Sequence, residues 1–260
     1  MPELPDVEIA RRRAESSAVG HTVAHVHVRD ESLLDGTSRQ QLSAQLGGVE
    51  LTETDRHGKV LALAAGDRGW LRLHFGMTGR LVDGRADADP PEHAALSLDF
   101  EDGSSLHFVN SRRLGSIGWT EDFRGFVQEE GLGPDMLEVE RDDFRRILEG
   151  HRGAIKSRLL DQHAVAGVGS VYGDEALFAA GIRPDRPLDE VSGDEIDAMR
   201  RSLRHVLRTA IDREADPERM PESWLLPRRE DGADCPGCDG TIRRTTVGGR
   251  STYWCPDCQD

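Results

Sequence analysis

Lysine is nearly missing from this chain. Lys59 and Lys156 are the only two, arginine makes up the rest of the 33 basic residues, and 48 acidic residues bring the formal net charge to −15. A balance of that sign excludes attraction of a polyanion to the surface as a whole, so any such binding has to come from local basic patches. Three are visible: Arg11-Arg12-Arg13, Arg112-Arg113, and Arg243-Arg244 with Arg250. The acid excess has the pattern of adaptation to high salt or of a GC-rich genome, with carboxylates spread over solvated faces. Cysteine is absent until the last 26 residues, which hold all four. That excludes a disulfide framework and fits a reducing cytoplasm. No apolar run approaches the ~18 residues of a membrane span, and no signal peptide precedes the acidic, proline-containing start. The chain is still long enough for one large or two ordinary domains with cores of their own.

Hydrophobic periodicity divides what is present. Residues 5–17 read as a short helix, with Pro5 suited to the first turn and Asp6 and Glu8 placed to complement the positive end of its dipole. From 22 to about 122 the pattern is that of strands. Thr22–Arg29, Val60–Leu63, Trp70–His74 and Ala95–Phe100 alternate, with turn signals such as Glu101-Asp102-Gly103 between them, as in a β-sandwich or barrel. After Gly131-Leu-Gly-Pro134 the period becomes helical, at Asp142–Leu148, Ala154–Gln162, Gly173–Ala180 and about 192–213. The last carries an apolar stripe of Ile196, Met199, Leu203, Val206, Leu207 and Ala210. A polar, proline-bearing stretch at 214–234 leads to two strands, Thr241–Val247 and Arg250–Trp254, joined at Gly248-Gly249. The fold class expected is α+β, divided into an N-terminal β-sandwich domain over 1–130, a helical domain over 131–225 and a metal-bound hairpin over 226–260.

Two constellations carry chemistry. Cys235-x2-Cys238-x16-Cys255-x2-Cys258 has the spacing of a closed tetrahedral site for one structural Zn2+. Such an ion would stiffen the hairpin that offers Arg250, whose planar fork suits phosphate. On this ground alone a solvated hairpin arginine is the simpler account of Arg250. At the other end, removal of Met1 would leave Pro2 with a secondary α-amine. With a pKa of ~8 such an amine is partly neutral at pH 7 and can attack a sugar C1′. Glu3, beside it, could supply a proton if burial raises its pKa. On the dipeptide alone, a helix-leading proline is the plainer account.

Longer motifs decide between these accounts. Pro2-Glu3-Leu4-Pro5-Asp6-Val7-Glu8, Arg56-His57-Gly58-Lys59, His74-Phe75-Gly76-Met77-Thr78-Gly79, Arg112-Arg113-Leu114-Gly115, Lys156–Gln162, Val165–Phe178 and Arg250–Gln259 follow one another in order. From residue 2 to residue 259 the chain resembles the formamidopyrimidine-DNA glycosylase / endonuclease VIII family. The resemblance implies Pro2 as Schiff-base nucleophile, Glu3 as proton donor, and Lys59 and Arg250 as catalytic-site cations. Met77, Arg112 and Leu114 would fill the gap left by an extruded base. It also implies a helix–two-turns–helix motif around Gly167-Val-Gly-Ser170, whose amides would receive DNA phosphate. Lys156, Ser170, Glu175 and Asp6 are assigned to DNA contact on the same ground.

Four departures bear on lesion choice. Asp6 stands where the family usually has Glu, Ser170 replaces Asn, Leu114 replaces an aromatic wedge, and 214–234 lacks the Thr/Gly-rich loop that caps an extruded 8-oxoguanine. The expected protein is a monomeric, cytoplasmic, nucleoid-associated enzyme of base-excision repair acting on double-stranded DNA. Its expected activities are glycosylase and abasic-site lyase (β,δ-elimination), on oxidised purines such as 8-oxoguanine and formamidopyrimidines. An endonuclease VIII-like enzyme for oxidised pyrimidines and a catalytically silent binder of damaged DNA are the alternatives.

Overall fold

The computed structural model describes residues 1–260. The chain divides into two compact units, Met1–Pro2 with Asp6–Glu130, and Glu3–Pro5 with Gly131–Asp260.

The first unit takes most of helix α1 (Leu4–Ser17) and two sheets. Strands β1 (Val23–Val28), β2 (Leu34–Asp35), β3 (Leu51–His57), β4 (Val60–Ala65), β5 (Trp70–His74), β6 (Arg80–Arg85), β7 (Ala94–Phe100), β8 (Ser104–Val109) and β9 (Ser116–Thr120) form them. One sheet runs β1-β7-β8-β6 and the other β2-β9-β5-β4-β3. Leu71 and Leu73 of β5 are buried between half-buried neighbours, as a period-two alternation requires, whereas β7 is buried on both faces, Ala95 and Ser97 as well as Leu96 and Leu98. Val7, Ala10 and Ala14 put the apolar stripe of α1 into the same core. Two helices stand where the strand reading placed none. In α2 (Arg39–Leu46), capped by Ser38, only Leu42 and Leu46 are buried; in α3 (Phe123–Glu129), capped by Asp122, only Phe123 is. Both are too short and polar to show a stripe in sequence.

The second unit contains α4 (Arg141–Leu148), α5 (Ile155–Leu159), α6 (Ser170–Ala180), α7 (Gly193–Asp212) and the hairpin β10 (Arg243–Val247) and β11 (Arg250–Trp254). Met199, Leu203, Val206, Leu207 and Ala210 of α7 pack in one core with Phe144, Ile155, Leu159, Ala176 and Leu177. Ser192 and Glu195 close a capping box at the start of α7. α5 ends earlier than its pattern suggested because Gln162 turns inward. Its side-chain amide donates to Leu160 O and Val168 O and its carbonyl accepts from Gly167 N–H, knitting the turns before α6. The stretch 214–234 is not a loose linker, since Met220, Trp224 and Leu225 are buried. At the hairpin turn Val247 pairs with Arg250, and Gly248 (φ 56°) and Gly249 (φ 73°) supply the two left-handed positions a type I′ turn needs. The hairpin lies within this unit, around a small core of Leu225, Cys235, Ile242 and Cys255.

Candidate active site

A carboxylate holds the start of the chain in the second unit. Glu3 is buried, and its two oxygens accept from the backbone N–H groups of Gly169 (3.1 Å), Val171 (2.8 Å) and Tyr172 (3.2 Å). These are donors that a helix start leaves without partners, at the end where the dipole favours an anion. No side chain beside α6 caps it, since its N-cap residue is Gly169. Glycine is required there, because a Cβ at 169 would stand 2.2 Å from Glu3 Cδ. Leu4 N–H donates to Gly167 O at 3.1 Å, fixing the next residue too. Of the amides expected to receive DNA phosphate, that of Gly169 therefore receives Glu3 and that of Gly167 receives the Gln162 side chain. Pro2, bonded to Glu3, is half-buried, while Met1 is exposed.

Below this cradle lies a buried ionic network. Lys156 and Asp174, both fully buried, pair at 2.5 Å. Lys156 Nζ also donates to Thr252 Oγ1 (2.8 Å), Ser170 Oγ (3.1 Å) and Ser251 O (3.2 Å). Burial pulls the Lys156 ammonium below the usual lysine pKa, and Asp174 opposes that shift. Asp174 Oδ2 accepts from Arg229 (2.6 Å) and from Tyr253 N–H (3.1 Å), and the Arg229 guanidinium lies 4.7 Å from the Tyr253 ring centroid. Ser170 gives its one hydroxyl proton to Ser251 O.

Glu175 is buried as well, accepting from the N–H groups of Leu225 and Leu226, and burial pushes its carboxyl up to about 7. Lys156 and Glu175 are thus corrected from DNA contacts to positioning residues, while Ser170 is half-exposed with its hydroxyl turned inward. The two buried side chains have no surface to offer, and the serine hydroxyl proton is already engaged. What they position is α6 and the backbone flanking Arg250, whose own side chain is exposed.

The four thiols fit zinc. Their Sγ atoms lie within 4.8 Å of one another, and Cys235–Cys258 and Cys238–Cys255 are 3.6 Å apart. The N–H groups of Gly237 and Gly240 point at Cys235 Sγ and Cys238 Sγ, as in a thiolate knuckle. Cys235, Cys238, Cys255 and Cys258 make one structural Zn2+ site, closed by four sulfurs and so without a position for substrate.

In the first unit Lys59 sits in the two-residue turn from β3 to β4, where His57 pairs with Val60. Arg56, 6% exposed at its side chain, braces the turn by donating to Gly58 O (3.1 Å) and to Glu8 Oε2 of α1 (3.3 Å). Burial and then the Lys59 ammonium hold His74 below the usual imidazole pKa. Met77 and Leu114 are, with Met1, the exposed large hydrophobics of the chain, at 39% and 53%. Read without the family, both would have been assigned to the core. They ride on turns locked together by Thr78. Its hydroxyl accepts from Arg112 N–H (3.1 Å) and donates to Asn110 Oδ1 (3.2 Å), while Asn110 Nδ2 donates to Phe75 O (3.3 Å). The Arg112 side chain is exposed, and Asp6 is half-buried in the first turn of α1.

One expected basic patch is neutralised internally: Arg11 and Arg12 pair with Glu8, Arg11 also with Glu15, and Arg13 with Asp83. Residue-by-residue reading assigned no role to Asn110, Asp174 or Arg229, and gave Glu8 only the helix dipole rather than its pairing with Arg11, Arg12 and Arg56. Asp174 did carry a signal, as one of two adjacent acids in the otherwise uncharged Tyr172–Phe178 run.

Comparison with known proteins accounts for nearly the whole chain. Residues 1–117 match the formamidopyrimidine-DNA glycosylase N-terminal domain, 131–221 the H2TH domain of the same enzymes, and 234–260 a zinc finger found in FPG and IleRS. A formamidopyrimidine-DNA glycosylase of Geobacter metallireducens is 37% identical, and one of Laribacter hongkongensis 33%, over the full length of both chains in each case. Among solved structures, Lactococcus lactis formamidopyrimidine-DNA glycosylase bound non-covalently to DNA containing an AP site has a TM-score of 0.90 at 27% identity. The same enzyme with DNA containing N7-benzyl-Fapy-dG has 0.91 at 26%, both covering all of each chain.

Proposed function

This chain belongs to the formamidopyrimidine-DNA glycosylase family, and on that premise we propose that it is a bifunctional glycosylase and abasic-site lyase acting on oxidised purines in double-stranded DNA. In this reading Met1 is removed and the Pro2 nitrogen attacks C1′ of the damaged nucleotide. The glycosidic C1′–N bond breaks and the base leaves with a proton. As the base departs the Pro2 nitrogen gives up its own proton, Glu3 protonates the ring oxygen, and the C1′–O4′ bond opens to leave a cationic iminium at C1′ that acidifies C2′–H. Loss of that proton expels the 3′ phosphate, and a second elimination expels the 5′ phosphate. Lys59 and Arg250 hold phosphates flanking the lesion, while Met77, Leu114 and Arg112 enter the gap left by the flipped nucleotide.

The observation that carries this reading is the anchoring of Glu3 by three α6 amides. A terminal dipeptide with no function has no need of a buried clamp 166 residues away in sequence. The exposure of Met77 and Leu114 supports the wedge. Borohydride should trap a covalent adduct with an abasic duplex, and Pro2→Gly, which leaves a primary α-amine at the same position, should slow trapping rather than abolish it. A wild-type protein that binds the duplex without being trapped is the silent binder.

One observation favours the pyrimidine-specific reading over the purine one. The segment 214–234 folds around buried Met220 and Trp224 instead of standing as a free capping loop. Excision rates on duplexes with a single 8-oxoguanine or a single 5-hydroxycytosine decide between them.

A further inference from the structure

The outer face of α7 carries positive charge that the protein leaves uncompensated. At 100° per residue, Arg201, Arg204, His205 and Arg208 lie opposite the buried stripe of Leu203, Val206 and Leu207. They and Arg200 line an open cavity of about 350 Å³. Nearby acids are engaged elsewhere: Asp197 is held by Arg141 and Arg145, and Glu140 lies 4.0 Å from Arg200. Arg200 itself donates to Val139 O. Arg201, Arg204 and Arg208 have no carboxylate within ion-pair distance, in a chain of 48 acidic residues. Burial, then repulsion from Arg200 and Arg208, lowers the Arg204 pKa against a weaker opposing attraction from Glu140. Three unpaired like charges on one helix face are destabilising unless a partner neutralises them.

We propose that this arginine face is a second binding site for the phosphate backbone of nucleic acid, separate from the residues assigned to the lesion. The cavity is lined by arginine and histidine residues alone, their aliphatic stems forming part of the wall, with no apolar residue among them. A docking peptide helix would therefore find no hydrophobic anchor, whereas a phosphate backbone binds through charge alone. Guanidinium forks suit bidentate phosphate contact. From 201 to 208 α7 rises about 10 Å, which matches about three phosphates of one strand at ~3.4 Å of axial rise each. The site rests on the reading of this protein as a DNA enzyme, but its test is separable.

The test titrates an undamaged 30-base-pair duplex against the full-length protein from 50 to 200 mM salt, in wild type and in Arg201→Gln/Arg204→Gln/Arg208→Gln. All three positions lie on the outer face and repel one another, so the variant is expected to fold. The single Arg208→Gln serves if it does not, with a change of about one phosphate. The triple variant should bind about tenfold or more weakly at low salt, with a log–log salt slope shallower by about 3. It should still be trapped by borohydride on a short abasic duplex. An unchanged slope overturns the proposal, as does a polyglutamate peptide that binds this face in preference to DNA. Absence of trapping in wild type with the slope difference intact would sink the enzyme reading and leave this site standing.

Discussion

Glu3 makes contacts that neither a glutamine nor a crowded neighbour can reproduce. Glu3→Gln puts an amide nitrogen, which cannot accept, in place of one oxygen. Gly169→Ala drives a methyl into Glu3 Cδ at 2.2 Å. Each should lower stability by about 1–3 kcal/mol in thermal unfolding and cut borohydride trapping far more than it cuts duplex binding. Equal loss of both would mean that the clamp is merely structural.

Glu175 makes a different prediction. Its carboxyl, pushed up to about 7 by burial, keeps its proton in the folded state over a range where the unfolded chain has released it. The stabilisation is full below the ordinary glutamate pKa and is lost as pH rises through about 7. Between pH 5.5 and 8, wild type should lose about 2 kcal/mol relative to Glu175→Gln, and parallel stability curves would refute this. Little of this was legible in sequence. The motifs marked Glu3, Lys156 and Glu175 as important, but Glu3 meets donors far along the chain, and burial reversed the expected outward role of the other two.

At the scale of elements, legibility followed length and period. β5 and α7 were readable because alternation over Trp70–His74 and the stripe from Ile196 to Ala210 each bury one face. The hairpin was readable because paired glycines and CxxC knuckles constrain it doubly. α2 was not, since two buried leucines four apart fit a helix no better than a bent strand. The turns carrying Met77 and Leu114 were located but not understood, because composition cannot reveal that an apolar side chain faces water. Their exposure leads to a direct expectation. Met77→Ala/Leu114→Ala should change stability by only about 0.5 kcal/mol or less per site. It should slow lesion excision from a duplex while leaving trapping on a single-stranded abasic oligonucleotide intact, because only the duplex has a stack to fill. Equal losses on both substrates would mean that the two side chains act elsewhere than in the stack.

For the molecule as a whole, charge sets two opposed responses to salt. With a net charge of −15, self-repulsion opposes the compact state and is screened by added ions, so the melting temperature should rise between 50 and 500 mM salt. Duplex affinity should fall over the same range as counterions compete for the phosphates. A melting temperature that drops with salt would show that internal ion pairs outweigh the repulsion. The reconciliation of an acidic chain with a nucleic-acid substrate is local: carboxylates neutralise Arg11, Arg12 and Arg13, while Arg112, Arg250 and the α7 face stay exposed. The central claim is chemical, however, and mass spectrometry of the borohydride-trapped adduct after proteolysis tests it most directly. The account predicts the deoxyribose remnant on an N-terminal peptide that begins at Pro2. A remnant on Lys59 or any other side chain, or an active protein that still carries Met1, would contradict it.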